Sequence, residues 1–152
     1  MKDQNGSGAL RGESYYRHCE QTSTHWSQAE EWSDERGMAW TELAPVRERL
    51  NAKTTGDVSE GWVEYTLRTH LKDRLPVEKC LSLCCGRGGL ERNLASRRAF
   101  LECDGVDIAE GSIDRARERA RAEGYHNIDY RVQDVNTIEI PEDRDDVVWS
   151  SA

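Results

Sequence analysis

The sequence predicts an α/β fold, in which a parallel sheet of about four strands is flanked by helices and preceded by an N-terminal helical segment. A glycine-rich turn at 86–89 separates a short apolar run from a helical pattern, which indicates a strand, a turn and a helix in succession. Strand-like and helix-like segments then alternate, with crossovers long enough to join parallel neighbours. We expect a flexible N-terminus at 1–12, a helical cover segment at 13–75 and the sheet domain at 76–152.

Composition and charge narrow the classes of function. The chain has 152 residues, of which 36% are hydrophobic and 33% charged, and its net charge is −8. This charge argues against nucleic acid or an anionic membrane as the main partner. No apolar run approaches the roughly 18 residues of a membrane helix, and the N-terminus lacks the apolar stretch of a signal peptide. We therefore expect a cytoplasmic protein with no membrane partner.

The cysteines and histidines predict neither a disulfide framework nor a metal site. Five cysteines make an odd count without a CxxC pair. Buried thiols are the simplest interpretation, because cysteine behaves as a small hydrophobic residue. Cys84 and Cys85 lie close to the glycine turn and could be oxidised there, but no neighbouring histidine in the sequence would activate them. The histidines before the turn, His18, His25 and His70, are expected to be surface or supporting residues.

Three helices are predicted before the glycine turn, from cap residues, prolines and apolar spacing. Their expected ranges are 27–36, with Gly37 at its end, 46–51, closing near Gly56, and 62–71. Ser23 or Thr24 is the candidate cap of the first. The third has a broad apolar stripe that includes Trp62 and Leu67, so we expect it to pack on the sheet. The aromatic residues of this segment have two interpretations, as anchors that hold the helices to the core or as a lid over a ligand.

Four strands are predicted, and polar or glycine residues lie at their carboxyl ends. The first strand leads into the glycine turn, and the others cover 100–107, 128–134 and 146–152. Asp107, Asp134 and Ser150 lie at or near the ends of those three strands. Because ligands of parallel sheets bind outside the carboxyl ends of the strands, these positions predict a binding site at one edge of the sheet.

The two aspartates suggest what this site binds. An acid about 20 residues after a glycine turn is suited to accept hydrogen bonds from the two hydroxyl groups of a ribose, which is the role we expect for Asp107. The alternative for Asp107 is a residue that caps the next helix. Asp134 could accept a hydrogen bond from the exocyclic amine of adenine, and its alternative is a simple turn aspartate.

These residues together resemble a known family. The glycine loop 83–89, the Gly105-Val-Asp-Ile segment, Asp134-Val and the segment 146–151 are similar to the first half of a class I S-adenosylmethionine-dependent methyltransferase. The resemblance implies a partial Rossmann-like sheet, S-adenosyl-L-methionine as cofactor, and transfer of a methyl group to an unidentified acceptor such as a small molecule. It identifies no catalytic residue. By position it implies cofactor contacts at Ser82, Cys84, Gly86, Gly88, Asp107, Ile108, Asp134, Val135 and Ser150.

Three departures from the family pattern affect these expectations. Ser82 stands where the family usually has an acid, and Cys84 where it usually has a glycine. Without the acid, the cofactor's ammonium group loses a charged partner, and Glu91 is the candidate substitute. Third, the chain stops directly after the fourth strand, where the family's sheet continues. We therefore expect a fragment whose fourth strand is an exposed edge and favours self-association.

Two other classes of protein share parts of the pattern. An NAD(P)-binding oxidoreductase fragment has the same strand, glycine turn and ribose-binding acid. That class normally has a third small residue where the helix packs on the strand, and this chain has Glu91 there. The second class is a non-catalytic module that binds a protein partner through the tryptophan-rich N-terminal helices.

Overall fold

A computed structural model describes residues 12–36 and 43–150 of the chain. The predicted flexible N-terminus lies outside the described residues except for Gly12, as do Gly37, Trp40 and the last two residues of the fourth predicted strand. Among the described residues, no helix is long and apolar enough to cross a membrane.

Helices come first in the described chain, and strands and helices then alternate as predicted. The helices are α1 (Glu13–Arg36), α2 (Ala44–Thr55), α3 (Trp62–Thr66) with a π-helical turn after it (Leu67–Leu71), α4 (Gly89–Ser96) and α5 (Glu110–Ala122). The strands are β1 (Val77–Leu83), β2 (Phe100–Asp107), β3 (Ile128–Val132) and β4 (Val147–Ser150). The helices α4 and α5 are the crossovers that join β1 to β2 and β2 to β3.

The four strands form one parallel sheet in the order β3-β2-β1-β4. This confirms the predicted fold class. The chain builds outward from β1 to β2 and β3, and β4 then pairs with the opposite side of β1. The strand order therefore reverses beside β1, and ligands of open parallel sheets bind at such a reversal.

The third predicted helix packs on the sheet, although through a different set of residues. Val63, Leu67 and Leu71 are buried in one cluster with the strand residues Val77 and Phe100. The prediction that Trp62 belongs to this buried stripe is wrong. Its side chain is 45% exposed and its ring lies 6.1 Å from that of Trp149. Residues four apart share a helix face, so Val63 rather than Trp62 continues the line of Leu67 and Leu71.

The first helix begins ten residues before the cap predicted at Ser23 or Thr24. It starts at Glu13, and the Tyr15 amide donates to the Gly12 carbonyl oxygen (2.8 Å). Local propensity is a weak guide where tertiary contacts hold a helix. The second helix ends as predicted beside Gly56, which has the left-handed φ of +83° typical of a helix C-terminus.

A single aspartate fixes the entry to β4. The Asp146 carboxylate accepts hydrogen bonds from the amides of Glu78 (2.8 Å) and Lys79 (3.1 Å), and the Asp146 amide donates to the Lys79 carbonyl oxygen (2.9 Å). These contacts set the register of β4 on β1. In the described sheet β4 pairs with β1 alone, and Val148 on it is 48% exposed.

Candidate ligand-binding site

A cleft of about 340 Å³ lies at the carboxyl edge of the sheet. Five predicted site residues line it: Cys84, Asp107, Ile108, Asp134 and Val135. A larger cavity of about 680 Å³ lies at the opposite edge, among charged side chains such as Lys79 and Arg144. None of the predicted site residues lines that cavity. The smaller cleft is therefore the candidate site, because the loops that follow parallel strands meet there.

The glycine turn follows β1 and is built from left-handed backbone. Cys84 (φ +55°), Gly86 (φ +53°) and Gly88 (φ +71°) all have positive φ. Glycine adopts this conformation without strain, whereas a residue with a β-carbon does not. At Gly86 an added β-carbon would meet no heavy atom within 4 Å. The backbone at Gly86 is therefore open to a neighbouring group.

Gly88 must lack a side chain for a different reason, which is that the Tyr130 side chain packs against it. A β-carbon at Gly88 would lie 2.3 Å from the Tyr130 hydroxyl oxygen, and one at Gly105 would lie 2.7 Å from the same ring. The tyrosine is buried between the two glycines, and its hydroxyl donates to the Gly88 carbonyl oxygen (3.3 Å). This contact ties the glycine turn to β3, and the predicted cofactor contact of Gly88 stays a prediction.

Asp107 ends β2 and is held by two backbone amides. Its Oδ2 accepts from the Gly86 amide and its Oδ1 from the Ala109 amide, each at 2.9 Å. A carboxylate has about four lone-pair positions, so each oxygen keeps one for a further donor. The half-buried carboxylate lines the cleft and braces the glycine turn at the same time. The Ala109 amide belongs to the residue before α5, so Asp107 contacts the start of that helix, and its ribose contact stays a prediction.

Asp134 lies just beyond β3, which ends two residues earlier than predicted. Its Oδ1 accepts from the amide and the side-chain nitrogen of Asn136 (both 2.9 Å), and its Oδ2 accepts from the Tyr15 hydroxyl and the Cys19 thiol (3.7 Å for the thiol). Partial burial raises the pKa of this carboxyl group, but the hydrogen bonds from Tyr15 and Asn136 outweigh it, and the pKa is lowered. The carboxylate is therefore ionised at neutral pH.

Helix α1 forms the wall of the cleft that the sequence analysis did not identify. Its cleft-facing residues are Tyr15, His18, Cys19 and Thr22. They are spaced i, i+3, i+4 and i+7, which is one face of a helix. That spacing was visible in the sequence, but without a strong apolar pattern it did not single out these four residues. Of the two interpretations of the aromatic residues, Tyr15 fits the lid because it lines the cleft, whereas the side chains of Tyr16 and Trp26 are exposed.

Ser82 and Glu91 form a buried pair outside the cleft. Both side chains are completely buried, and the Ser82 hydroxyl donates to Glu91 Oε1. Glu91 Oε2 has no hydrogen-bond partner within residues 12–36 and 43–150. Burial raises the pKa of Glu91, and the hydrogen bond from Ser82 offsets only part of this effect. The structure does not bring Glu91 to the cleft, so it does not support Glu91 as the substitute partner of an ammonium group.

The cysteine that lines the cleft beside Asp107 is a poor nucleophile. Burial, and then the negative charge of Asp107, raise the pKa of the Cys84 thiol. The thiol is therefore protonated at neutral pH. Of the other predicted residues, Ser150 ends β4 and pairs in register with Leu83 at the end of β1.

The residues of the cleft suit an adenosyl group. A carboxylate with two lone-pair positions to spare matches a ribose diol, and a second carboxylate lines the same cleft. Ile108 and Val135 add apolar surface to the lining, as the faces of a purine require. The open backbone of Gly86 leaves space for the part of the ligand beyond the ribose.

The fold is that of a Rossmann-like domain, and the comparisons support the class I S-adenosylmethionine-dependent methyltransferases. Residues 80–152 match a family model described as "Methyltransferase domain". The match supports a methyltransferase domain in that segment and favours this class over the oxidoreductase interpretation of the glycine turn.

Curated relatives point to the same family. The chain is 30% identical over 101 residues to a 2-phytyl-1,4-naphthoquinone methyltransferase from Nostoc sp. strain PCC 7120, a match that covers 65% of this chain and 42% of that protein. It is 36% identical over 75 residues to an aklanonic acid methyltransferase from Streptomyces sp. strain C5, covering 49% of this chain and 34% of that protein. The chain thus spans less than half the length of these two relatives.

A solved structure extends the likeness in fold to the N-terminal helices. The magnesium protoporphyrin IX methyltransferase of Synechocystis PCC 6803, crystallised with bound S-adenosylhomocysteine, matches 87% of this chain and 57% of its own with a TM-score of 0.57. The sequence identity is 18%, so the likeness is one of fold.

Proposed function

We propose that this protein is an S-adenosylmethionine-dependent methyltransferase, or the cofactor-binding part of one, that acts on a small-molecule acceptor. The observation that carries the proposal is the geometry of Asp107. Two backbone amides fix its carboxylate at the cleft, and each oxygen keeps a lone-pair position for a hydroxyl group of the ribose. The family match of residues 80–152 supports the same cofactor.

Each predicted contact has a place along the proposed ligand. Ile108 and Val135 contact the adenine ring, and Asp134 accepts from its exocyclic amine. The glycine turn, with Gly86 at its open point, passes beneath the methionine part. The remaining contacts predicted from the family pattern are Ser82, Cys84, Gly88 and Ser150. Of these, Cys84 lines the cleft, whereas Ser82 and Gly88 are buried.

The chain's own contribution to methyl transfer is binding and orientation. When bound, S-adenosyl-L-methionine supplies a methyl group already activated by its sulfonium. The protein must hold that group in line with the acceptor and keep water away from it. Helix α1 lines one side of the cleft. We assign no general base among the described residues.

The acceptor is proposed to be a small molecule because the relatives are named for small-molecule substrates, a naphthoquinone, aklanonic acid and a magnesium porphyrin. The net charge of −8 supports partners that include neither nucleic acid nor an anionic membrane, and a cytoplasmic location is part of the same proposal. Self-association through β4 is part of the same proposal, since Val148 is exposed on an edge strand. A monodisperse monomer in sedimentation velocity at high concentration would contradict it.

Isothermal titration calorimetry with S-adenosylhomocysteine tests the proposed function. We expect the wild-type protein to bind this ligand in preference to NAD, and Asp107→Ala to lose about tenfold or more in affinity, because a hydrogen bond to a charged group contributes about 1.5 to 3 kcal/mol. Asp73→Ala is the matched control, since Asp73 is an exposed aspartate far from the cleft residues in the sequence. Circular dichroism confirms that each variant is folded.

Two results would contradict the proposal. Tighter binding of NAD than of S-adenosylhomocysteine would favour the oxidoreductase class. Failure to bind either ligand, together with a stable complex with a protein partner, would favour a non-catalytic module.

A further inference from the structure

Asp134 already has as many donors as a carboxylate accepts. Asn136 gives two hydrogen bonds to Oδ1, and Tyr15 and Cys19 each give one to Oδ2. A carboxylate offers about four lone-pair positions. An exocyclic amine that binds Asp134 must therefore replace one of these donors.

The donors differ in how easily they can leave. Asn136 lies two residues after Asp134 in the same turn, so its two hydrogen bonds are local and short-range. Tyr15 and Cys19 lie on α1, more than 100 residues away in the sequence. A thiol is a weak donor, so the Tyr15 hydroxyl is the stronger of the two contacts from the helix. An amine that takes Oδ2 of Asp134 therefore competes with α1 at this oxygen, and the Tyr15 hydroxyl is the main contact that the helix loses there.

Helix α1 has a second attachment that does not depend on Asp134. The Gly111 amide donates to the Ser27 hydroxyl and the Ser112 hydroxyl to the Trp26 carbonyl oxygen, both at 3.1 Å. The backbone of α1 approaches Gly111 closely, because a β-carbon there would lie 2.9 Å from that of Ser27. Ser27 is about 18 Å further along the helix than Tyr15. The helix can therefore stay attached at Ser27 while its first turns leave the cleft.

We propose that Tyr15 controls the base-binding end of the cleft: its hydroxyl and the exocyclic amine of the ligand compete for the same oxygen of Asp134, and the first turns of α1 move aside when the amine binds. This inference rests on the proposed function, and it adds a residue that discriminates between bases. A base with an amine at this position gains the Asp134 contact by displacing Tyr15. A base without that amine leaves the Tyr15 contact in place.

Tyr15→Phe tests the competition, because it removes the hydroxyl and keeps the ring. We expect affinity for S-adenosylhomocysteine to increase about threefold to tenfold, since a hydrogen bond to a carboxylate no longer has to be broken. Affinity for S-inosylhomocysteine, whose base has a carbonyl oxygen instead of the amine, should change by less than about twofold. Tyr16→Phe is the matched control on the exposed side of the helix, where Tyr16 is 64% exposed. It should change neither affinity.

The ratio of the two affinities distinguishes competition from a merely structural role. Equal changes for the two ligands in Tyr15→Phe, or weaker binding of S-adenosylhomocysteine, would overturn the inference while leaving the proposed function intact. If the wild-type protein binds neither ligand, both the proposed function and this inference fail.

Hydrogen exchange gives an independent readout. On addition of S-adenosylhomocysteine, amides of residues 15–19 should exchange faster while those near Ser27 stay protected. Slower exchange over the whole of α1 would also overturn the inference.

Discussion

The two ends of the cleft each contain an aspartate, but they are built differently. Asp107 is held by backbone amides from the glycine turn and from the start of α5, and each of its oxygens can accept one more donor. Asp134 is held by one backbone amide and three side chains, two of them from α1, and all its lone-pair positions are occupied. A ligand can therefore add to the first carboxylate, whereas at the second it must exchange with the protein.

The end of the cleft at Asp107 is preorganised for a ligand, whereas the end at Asp134 regulates which ligand can bind. Backbone amides have few alternative positions, so the end at Asp107 costs little to order when a ligand binds. Side-chain donors from a separate helix can be replaced, so the end at Asp134 responds to the chemistry of the base. The predictions below test first whether the end at the glycine turn is as fixed as its backbone contacts indicate.

The largest change in the free energy of unfolding is expected when Gly88 is replaced. Gly88→Ala places a β-carbon against Tyr130, which cannot retreat because Gly105 lies against the same ring. With the strain of a left-handed φ of +71° added, we expect a loss of about 3 kcal/mol in the free energy of unfolding, measured by urea denaturation. Gly86→Ala is the matched control. It has a similar φ but open space around it, so it should lose about 1 kcal/mol. Equal losses would show that Tyr130 does not fix the turn.

A smaller, pH-dependent effect is expected at Glu91. Burial raises the pKa of its carboxyl group above the ordinary value of 4.5, so the folded state holds this proton more tightly than the unfolded state. The contribution of Glu91 to stability is therefore fully present below pH 4.5 and is lost as the pH rises through the raised pKa. Glu91→Gln cannot ionise and still accepts the Ser82 hydrogen bond. Its stability relative to the wild type, measured by urea denaturation, should thus increase as the pH rises above 4.5.

The same variant tests the location of Glu91 outside the cleft. We expect Glu91→Gln to keep its affinity for S-adenosylhomocysteine within about twofold at neutral pH. Methylthioadenosine, which lacks the amino-acid part, is the control ligand. A loss of about tenfold for S-adenosylhomocysteine alone would mean that Glu91 does meet the ammonium group. A stability difference that stays constant with pH would contradict the raised pKa.

The parts of the fold that could be predicted from the sequence are those fixed by local signals. The glycine turn, Asp107 at the end of β2 and the parallel alternation of strands and helices each follow from residues close together in the chain. The cleft contains Asp107 and Asp134, which lie where the strand ends predicted a site, and Ile108 and Val135, which the resemblance to the methyltransferase family implied. Their contacts with a cofactor stay predictions.

The parts that could not be predicted depend on contacts between distant segments. Nothing near Tyr15 in the sequence indicates Asp134, which lies 119 residues later. Gly88 belongs to a glycine pattern that suggests a ligand, yet its lack of a side chain is required by Tyr130 on another strand. Glu91 looked available to an ammonium group until its burial against Ser82 was known. Such pairings are decided by tertiary packing, which spacing along the chain does not reveal.

The smallest change in the free energy of unfolding is expected when Cys84 is replaced. This residue lines the cleft directly after β1. Its φ of +55° strains a residue with a β-carbon, and the family usually has a glycine here. We expect Cys84→Gly to increase the free energy of unfolding by about 0.5 to 1 kcal/mol, because relief of the strain exceeds the added flexibility of the unfolded chain. Cys84→Ala removes the thiol but keeps the β-carbon, so it should show no such gain. If both variants gain equally, the thiol rather than the backbone is the source of the strain, and the glycine turn is less rigid than its left-handed residues suggest.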